Sequence, residues 1–321
     1  MKNNEIKGTV SGLASGIFWG IDTVLIGIIL AKSPLSEMLL VAPIISTFFH
    51  DAFSSIWTFI YLLLKGKQKE ILKVLKSKSI IFIIAASLLG GPIGMTCYVL
   101  AINYIGSSYT ATISSMYPAV GALFAYIFLK DKLKNRGIFG LALAISSVIL
   151  LGLSSDFENH GDMKLGFFFA VMCTLANGLE CVICAYAMKD DVSPDIALQI
   201  RQVISSLSYA LVIIPFMGAY GEIFTVIKSP LILLLATTAL IGTISFLAYY
   251  GSINLIGPTR AMGLNISYSA WAVIFGFFIG RSIDIKLLII CLLVITGSIL
   301  TSDNPKEIIL GLKGLSTSKE I

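Results

Sequence analysis

Two copies of one short pattern lie 151 residues apart in this chain and constrain its fold more than any other feature. Ile102-Asn103-Tyr104-Ile105-Gly106 recurs as Ile253-Asn254-Leu255-Ile256-Gly257. At the same offset Tyr98 falls on Tyr249, Tyr117 on Tyr268, Phe124 on Phe275 and Lys130 on Arg281. The copies sit five apolar stretches apart. Five is odd, so if each stretch crosses a bilayer, the second copy crosses it the other way up. The pattern predicts an inverted repeat, the arrangement from which alternating-access proteins build two related conformations around one central site.

Composition supports the bilayer. Charged residues make up 13% of the 321 and hydrophobic ones 56%, with a mean hydropathy of +0.91. A soluble domain carries roughly 25% charged residues. Ten stretches approach the ~20 apolar residues needed to cross. They lie near 9–30, 37–64, 80–102, 107–129, 136–154, 165–188, 195–220, 230–250, 259–279 and 285–301. The expected fold is an all-α integral membrane protein of ten transmembrane helices in two inverted five-helix repeats. The first repeat occupies 1–155 and the second 165–301, with a cytoplasmic tail at 302–321. The first stretch is too long for a typical signal peptide and lacks a persuasive cleavage site, so it is expected to be retained.

Lysine and arginine set the orientation. With the N-terminus cytoplasmic, seventeen of them fall in inside segments and five in outside segments, with Arg201 within a stretch. The positive-inside rule then puts both termini in the cytoplasm of a multi-pass cell-membrane protein. The net charge of +5 is segregated to one side, and is no sign of a nucleic-acid partner. The outer loop with Asp156, Glu158, His160 and Asp162 is acidic. It reads as a solvated loop that could also concentrate cations. All five cysteines lie in apolar stretches. Cys181 and Cys184 form CxxC without further ligands, so they read as small packing residues, with no metal or cofactor expected.

Polar groups within the stretches are costly and usually face a cavity or a partner. Five stand out: Asp22, His50, Asp51, Glu180 and Arg201. Glu180 is deepest, with Asn177 and Cys184 on its stripe. Asp22 shares a stripe with Ser15 and Trp19. His50-Asp51 suits a proton relay and equally a static pair between helices. Arg201 reads as structural, snorkelling or neutralising a carboxylate. Asp22, His50, Asp51 and Glu180 are the candidates for ion coupling.

Aromatics give a second constellation. Trp19 and Trp271 lie deep, Trp271 on a face with Tyr268 and Asn265. Repeat symmetry should set Tyr117 opposite Tyr268, and Tyr98 opposite Tyr249, across one space. Any single aromatic is more often packing than ligand. Several π faces with one anion, however, suit a quaternary ammonium, which has no N–H to satisfy and is held by cation–π contacts. The expected substrate site is Trp19, Tyr98, Tyr117, Glu180, Tyr249, Tyr268 and Trp271, taking a small choline-like cation.

The run Tyr117-Pro118-Ala119-Val120-Gly121-Ala122-Leu123-Phe124 through Phe128-Leu129-Lys130-Asp131-Lys132-Leu133, with the inverted ten-span plan, resembles the drug/metabolite transporter superfamily, EamA type. The second half departs from it, with Ser269 at the place of Pro118 and Ser282 at that of Asp131. Gly16-Ile17-Phe18-Trp19-Gly20, His50-Asp51, the run from Tyr104 to Leu133 and Glu180-Cys181-Val182-Ile183-Cys184-Ala185-Tyr186 are similar to the LicB-type choline transporters of that superfamily. The resemblance implies choline uptake through an aromatic pocket. The roles of Trp19, Tyr117 and Glu180 follow from it best, because those residues lie in matching stretches.

Other classes fit less well. The chain has no Gly-x-Ser-x-Gly, HExxH or Walker A pattern, which argues against an enzyme and against ATP-driven transport. Nothing resembles a channel filter. Export of amino acids or other metabolites remains the alternative. A zwitterion needs a cationic partner, which Arg201 or Arg260 could supply. Movement is expected to be facilitated or driven by an ion gradient, with the proton as the favoured ion.

Overall fold

A computed structural model describes residues 2–38, 41–152, 162–189, 192–280 and 285–302, and no strand occurs among them. Its helices are α1 (Lys2–Leu30), α2 (Val41–Leu64), α3 (Gln68–Leu75), α4 (Ile80–Leu88), α5 (Gly94–Ser114), α6 (Tyr117–Phe124), α7 (Asn135–Gly152) and α8 (Met163–Met188). They continue as α9 (Pro194–Ser208), α10 (Ile214–Met217), α11 (Tyr220–Lys228), α12 (Leu231–Ile256), α13 (Pro258–Asn265), α14 (Tyr268–Phe278) and α15 (Ile285–Leu300).

Among the described residues six segments are long and apolar enough to cross a membrane: Asn3–Leu30, Ile80–Gly106, Met163–Met188, Pro194–Met217, Leu231–Ile256 and Pro258–Phe278. Tyr117–Leu129, Asn135–Leu150 and Ile285–Leu300 are apolar but shorter. α2 has the length, at 24 residues, but His50 and Asp51 dilute its hydropathy. The outer surface matches a lipid solvent. Phe216 is 91% exposed, Ile285 78% and Phe278 75%, a pattern that water would penalise and acyl chains do not. The chain is a multi-pass helical membrane protein. Of the acidic outer loop only Asp162 is described. Its side chain caps α8 by accepting from the backbone of Lys164 and Leu165.

Small residues decide which helices touch. Gly8, Gly12, Gly16 and Gly20 form one stripe on α1. Gly8 faces Ile256 and Leu255, Gly12 faces Ser252 and Leu264, Gly16 faces Ser267, and Gly20 faces Trp271. A methyl at any of them would overlap its neighbour. Such stripes let backbones approach closely where no hydrophobic force drives association in lipid. Numbers rise along α1 as they fall along α12, so the two run antiparallel. α8 packs on α5 in the same way, with Gly166 against Ile105 and Tyr104. Further along, Gly178 meets Gly121, Tyr117 and Val120 of α6.

Proline and glycine break the regular backbone of the long spans. α4 passes into α5 through a π-helical segment, Leu89–Ile93, that contains Pro92 and a non-helical Gly91. Proline supplies no N–H to the ladder, which opens the helix wall there. Gly106, at φ 77° and ψ 166°, and Gly257, at φ 86° and ψ 159°, end the two copies of the repeated pattern. Both angles are costly for a residue with a Cβ.

One end of the bundle is tied by two ion pairs. Asp131 sits at the start of α13, where Oδ2 accepts from the Thr259 N–H at 3.2 Å and Oδ1 from Arg260 Nη1 at 3.0 Å. A carboxylate is favoured at a helix N-terminus. Lys67, between α2 and α3, donates to Asp195 Oδ2 of α9 at 2.8 Å. That hydrogen bond holds the Lys67 ammonium above its usual pKa. Between the two pairs lies a core that includes Leu62, Val192, Ile196, Tyr250 and Met262.

Candidate functional site

A cavity of about 520 Å³ opens between α1, α2, the Leu89–Ile93 segment, α5, α8, α9, α12 and α14. It reaches Leu30 and Pro43 at the end of the bundle opposite the two ion pairs. Its volume suits a small molecule.

The polar part is a continuous chain of buried groups. His50 Nε2 on α2 lies 3.1 Å from Asp22 Oδ1 on α1, and His50 Nδ1 lies 3.8 Å from Asp51 Oδ1. Asp51 accepts from Ser205 Oγ of α9 and stands 3.6 Å from Arg201 Nη1. Arg201 Nε donates to Glu180 Oε1 at 2.8 Å, and the same oxygen accepts from the Tyr250 hydroxyl at 3.4 Å. Arg201 Nη1 also donates to Gln202 Oε1, Gln202 donates to Ser54 Oγ, and Ser54 meets Thr243 at 2.8 Å. Three carboxylates thus face one permanent cation and one histidine. Whether or not His50 is protonated, the cluster carries net negative charge when the carboxylates are ionised.

Glycine seats both ends of this chain. A Cβ at Gly242 would overlap His50 Nε2 and approach Asp22 Oδ1, and a Cβ at Gly90 would overlap the Glu180 carboxylate. Both glycines are buried, so the charged groups lie directly against backbone.

The apolar part is aromatic. Trp19 meets Phe246 edge-on with centroids 4.8 Å apart, and His50 edge-on at 6.2 Å. The Arg201 guanidinium sits 4.8 Å from the centre of the Phe246 ring. Tyr117 donates to Asn265 Oδ1 at 3.1 Å, and Asn265 donates to Ser15 Oγ at 3.0 Å. That chain ties the Tyr117 ring to α1 and α13. Tyr249 donates to the Cys181 sulfur, and the Cys184 thiol meets the Tyr250 hydroxyl, each at 3.3 Å. The CxxC pair is thus a set of free thiols packed under two tyrosines.

Of the residues singled out in the sequence, Trp19, Asp22, His50, Asp51, Tyr98, Tyr117, Glu180, Tyr249 and Tyr268 all line this one cavity. Trp271 does not. Its Cβ packs on Gly20, its ring stacks on Phe275 at 6.1 Å, and its indole N–H is buried without an acceptor among the described residues. Helical spacing put Trp271 on the face of Tyr268. The contact of its Cβ with Gly20 holds it against α1 instead, although Tyr268 on the same helix reaches the cavity. Glu180 is also less free than its sequence position implies, because Arg201 already compensates it. Arg201, read from sequence as snorkelling or neutralising a carboxylate, lines the cavity and pairs with Glu180, and Phe246 and Tyr250 are cavity residues that sequence reasoning did not place there. One available signal was the repeat: Arg201 stands 151 residues after His50.

A charged, aromatic cavity held among membrane-length helices is the site of a membrane transporter. Residues 6–153 match the EamA-like transporter family. Protein LicB of Haemophilus influenzae (strain ATCC 51907 / DSM 11121 / KW20 / Rd) is 31% identical over 297 residues, covering 92% of this chain and 97% of that protein. The chain belongs to the EamA-like family of the drug/metabolite transporter superfamily, with a LicB-like relative. The riboflavin transporter ImpX of Fusobacterium nucleatum subsp. nucleatum is 21% identical over 288 residues, 88% of this chain and 92% of that one. A solved crystal structure at 14% identity shares the fold, with a TM-score of 0.72 over 92% of this chain and 96% of its own.

Proposed function

We propose that this protein imports choline, or a similarly small quaternary amine, by alternating access across the cell membrane. The observation that carries this reading is the cavity itself. Aromatic faces from Trp19, Tyr117 and Tyr268 share one space with a cluster of net negative charge. A quaternary ammonium gains from both. It offers no N–H, so the aromatic walls lose nothing by lacking acceptors, and a desolvated cation–π contact contributes about 2 kcal/mol or more. Bringing such a cation into low dielectric is otherwise costly. Glu180, with one oxygen held by Arg201, supplies the nearest counter-charge, and Tyr98 and Tyr249 complete the walls.

Alternating access is proposed to run on two inverted halves, about 1–155 and 165–301, with both termini cytoplasmic. Matched contacts support the inversion. Gly8 packs on Leu255 and Ile256, and Gly166 on Tyr104 and Ile105, residues 151 positions apart. Gly20 packs on Trp271 and Gly178 on Val120, again at that offset. Gly106 and Gly257 share one unusual backbone conformation.

The second reading is export of amino acids or other small metabolites. The observation favouring it is that Arg201 lines the cavity, where it could meet a substrate carboxylate. Against it, the guanidinium is already engaged by Glu180, Asp51 and Gln202. Equilibrium binding to purified protein decides. Saturable binding of choline with no binding of amino acids is expected. Binding of amino acids without choline would sink the import reading and promote the other.

A further inference from the structure

We infer that the proton moved in transport is carried by the Asp22–His50 pair, and that Arg201, paired with Glu180, is the permanently charged counterpart of His50 in the other half. The assignment rests on reading the chain as a transporter with inverted halves. It names which of the buried groups can switch.

The two pairs occupy equivalent places. His50, Asp51 and Ser54 on α2 fall on Arg201, Gln202 and Ser205 on α9 at the repeat offset of 151. Each base comes from the second long helix of its half. Each acid comes from the first, two residues after a glycine: Gly20-Ile21-Asp22 on α1 and Gly178-Leu179-Glu180 on α8. Those two glycines pack on Trp271 and Val120, positions that are themselves repeat partners. A glycine borders each of the two base-bearing helices. Gly242 faces His50, and its partner Gly91 faces Ser205, one turn from Arg201. The acid–base distances are 3.1 Å and 2.8 Å.

The chemistry of the two bases is not equivalent. A guanidinium does not release its proton in proteins, so Arg201 keeps Glu180 compensated in every state. An imidazole gains and loses a proton in the neutral range. When His50 is protonated, Nε2–H points to Asp22 and Nδ1–H towards Asp51, so one ring staples α1 to α2. When it is neutral, one ring nitrogen becomes an acceptor facing a carboxylate oxygen, and one of the two contacts is lost. The neutral ring keeps Asp22 only if its remaining N–H sits on Nε2, and then without the imidazolium charge, so deprotonation weakens the contact between α1 and α2, which border the cavity mouth at Leu30 and Pro43.

The other groups facing the pair cannot take this part. Arg201 approaches from α9 and Glu180 from α8, already joined to each other. From α5, α12 and α14 come the phenols of Tyr98, Tyr250 and Tyr268, whose chemistry lies far from neutral pH. Arg260 on α13 and Asp195 on α9 are held at the end of the bundle by Asp131 and Lys67.

Reconstituted protein tests the assignment. Choline counterflow needs no net proton movement. Wild type is expected to show counterflow and, with voltage clamped at zero, net choline flux that changes severalfold under a pH step of about one unit, equivalent to a tenfold ratio per proton. His50→Gln and, separately, Asp22→Asn, each assayed at choline raised to saturate its own counterflow, should lose the pH response, with Asp22→Asn needing more choline than wild type because the cavity loses a charge. A second measurement needs no transport. In Trp57→Phe/Trp271→Phe protein only Trp19 emits, 6.2 Å from His50, and an imidazolium quenches indole. Its emission should fall on acidification in detergent. His50→Gln should abolish that step, and Glu180→Gln should leave it in place. A pH response that survives in both His50→Gln and Asp22→Asn, or is missing from wild type, overturns the assignment while choline transport stands. Absence of choline counterflow in wild type overturns the transport reading instead, and the Trp19 titration then still decides the pair.

Discussion

Arg201 and Glu180 form the shortest charged contact in the cavity, with Nε 2.8 Å from Oε1, and the same guanidinium reaches Asp51 at 3.6 Å. A buried pair of this kind contributes little net stability as a unit, but removing one member leaves the other uncompensated at a cost of about 3–5 kcal/mol.

Arg201→Ala is therefore expected to lower thermal stability markedly, while Glu180→Gln, which keeps a hydrogen-bond acceptor and leaves Arg201 still beside Asp51, unfolds close to wild type. Glu180→Gln should still weaken choline binding about tenfold or more, because the cavity loses a charge. Thermal unfolding in detergent and a binding isotherm check the two parts. Equal stability loss in both variants would contradict the asymmetry.

Trp19→Ala and Tyr117→Ala should each weaken choline binding by one to two orders of magnitude, if each removes the roughly 2 kcal/mol of a desolvated cation–π contact. Trp271→Phe should bind within about threefold of wild type, since the ring lies behind α1 rather than in the cavity. Binding titrations of the three variants side by side distinguish wall from packing.

Gly90→Ala places a methyl where the Glu180 carboxylate sits, and Gly242→Ala places one against His50. Both should fold with a modest loss, because the obstructing atoms are side-chain ends, yet lose most uptake. A Gly251→Ala control, with nothing near its Cβ, should transport as wild type. Normal uptake by Gly90→Ala would mean Glu180 need not hold its observed position.

The proposed topology predicts that cysteines introduced at Lys67 and at Asp156 label from opposite faces of the membrane. Labelling of both from one side would overturn it.

The all-helical membrane character and most of the cavity lining were legible because lipid makes polar atoms expensive. Asp22, His50, Asp51 and Glu180 announced themselves by cost alone, and the cavity gathers all four. Tyr98, Tyr117, Tyr249 and Tyr268 were legible through the repeat. Trp271 misled because helical spacing fixes a face of one helix, not what packs against that face. The Gly20 contact that takes it away from the cavity depends on a second helix 251 positions earlier in sequence. Arg201 was legible as a residue that snorkels or neutralises a carboxylate, and it neutralises, but depth along one span says nothing of which acids the neighbouring spans bring to it. Phe246 carried no local signal at all, being one apolar residue in an apolar helix.

The tethers of Asp131 to Arg260 and of Lys67 to Asp195 have no repeat partners. Ser282 stands at the position matching Asp131, Gly218 at that of Lys67 and Ile44 at that of Asp195. A machine with two interchangeable halves would spend equal time open to each side. Among the described residues the matching positions hold no such pairs, so on the proposed inverted halves the two states would differ in energy, and about 1.4 kcal/mol already skews populations tenfold. On the proposed topology the ionic seam is cytoplasmic, so the empty protein would wait with its cavity turned outward, and returning empty to that posture would be the downhill leg of the cycle. A carrier biased in this way is a better scavenger than a releaser, because its rest state is the one that meets dilute solute.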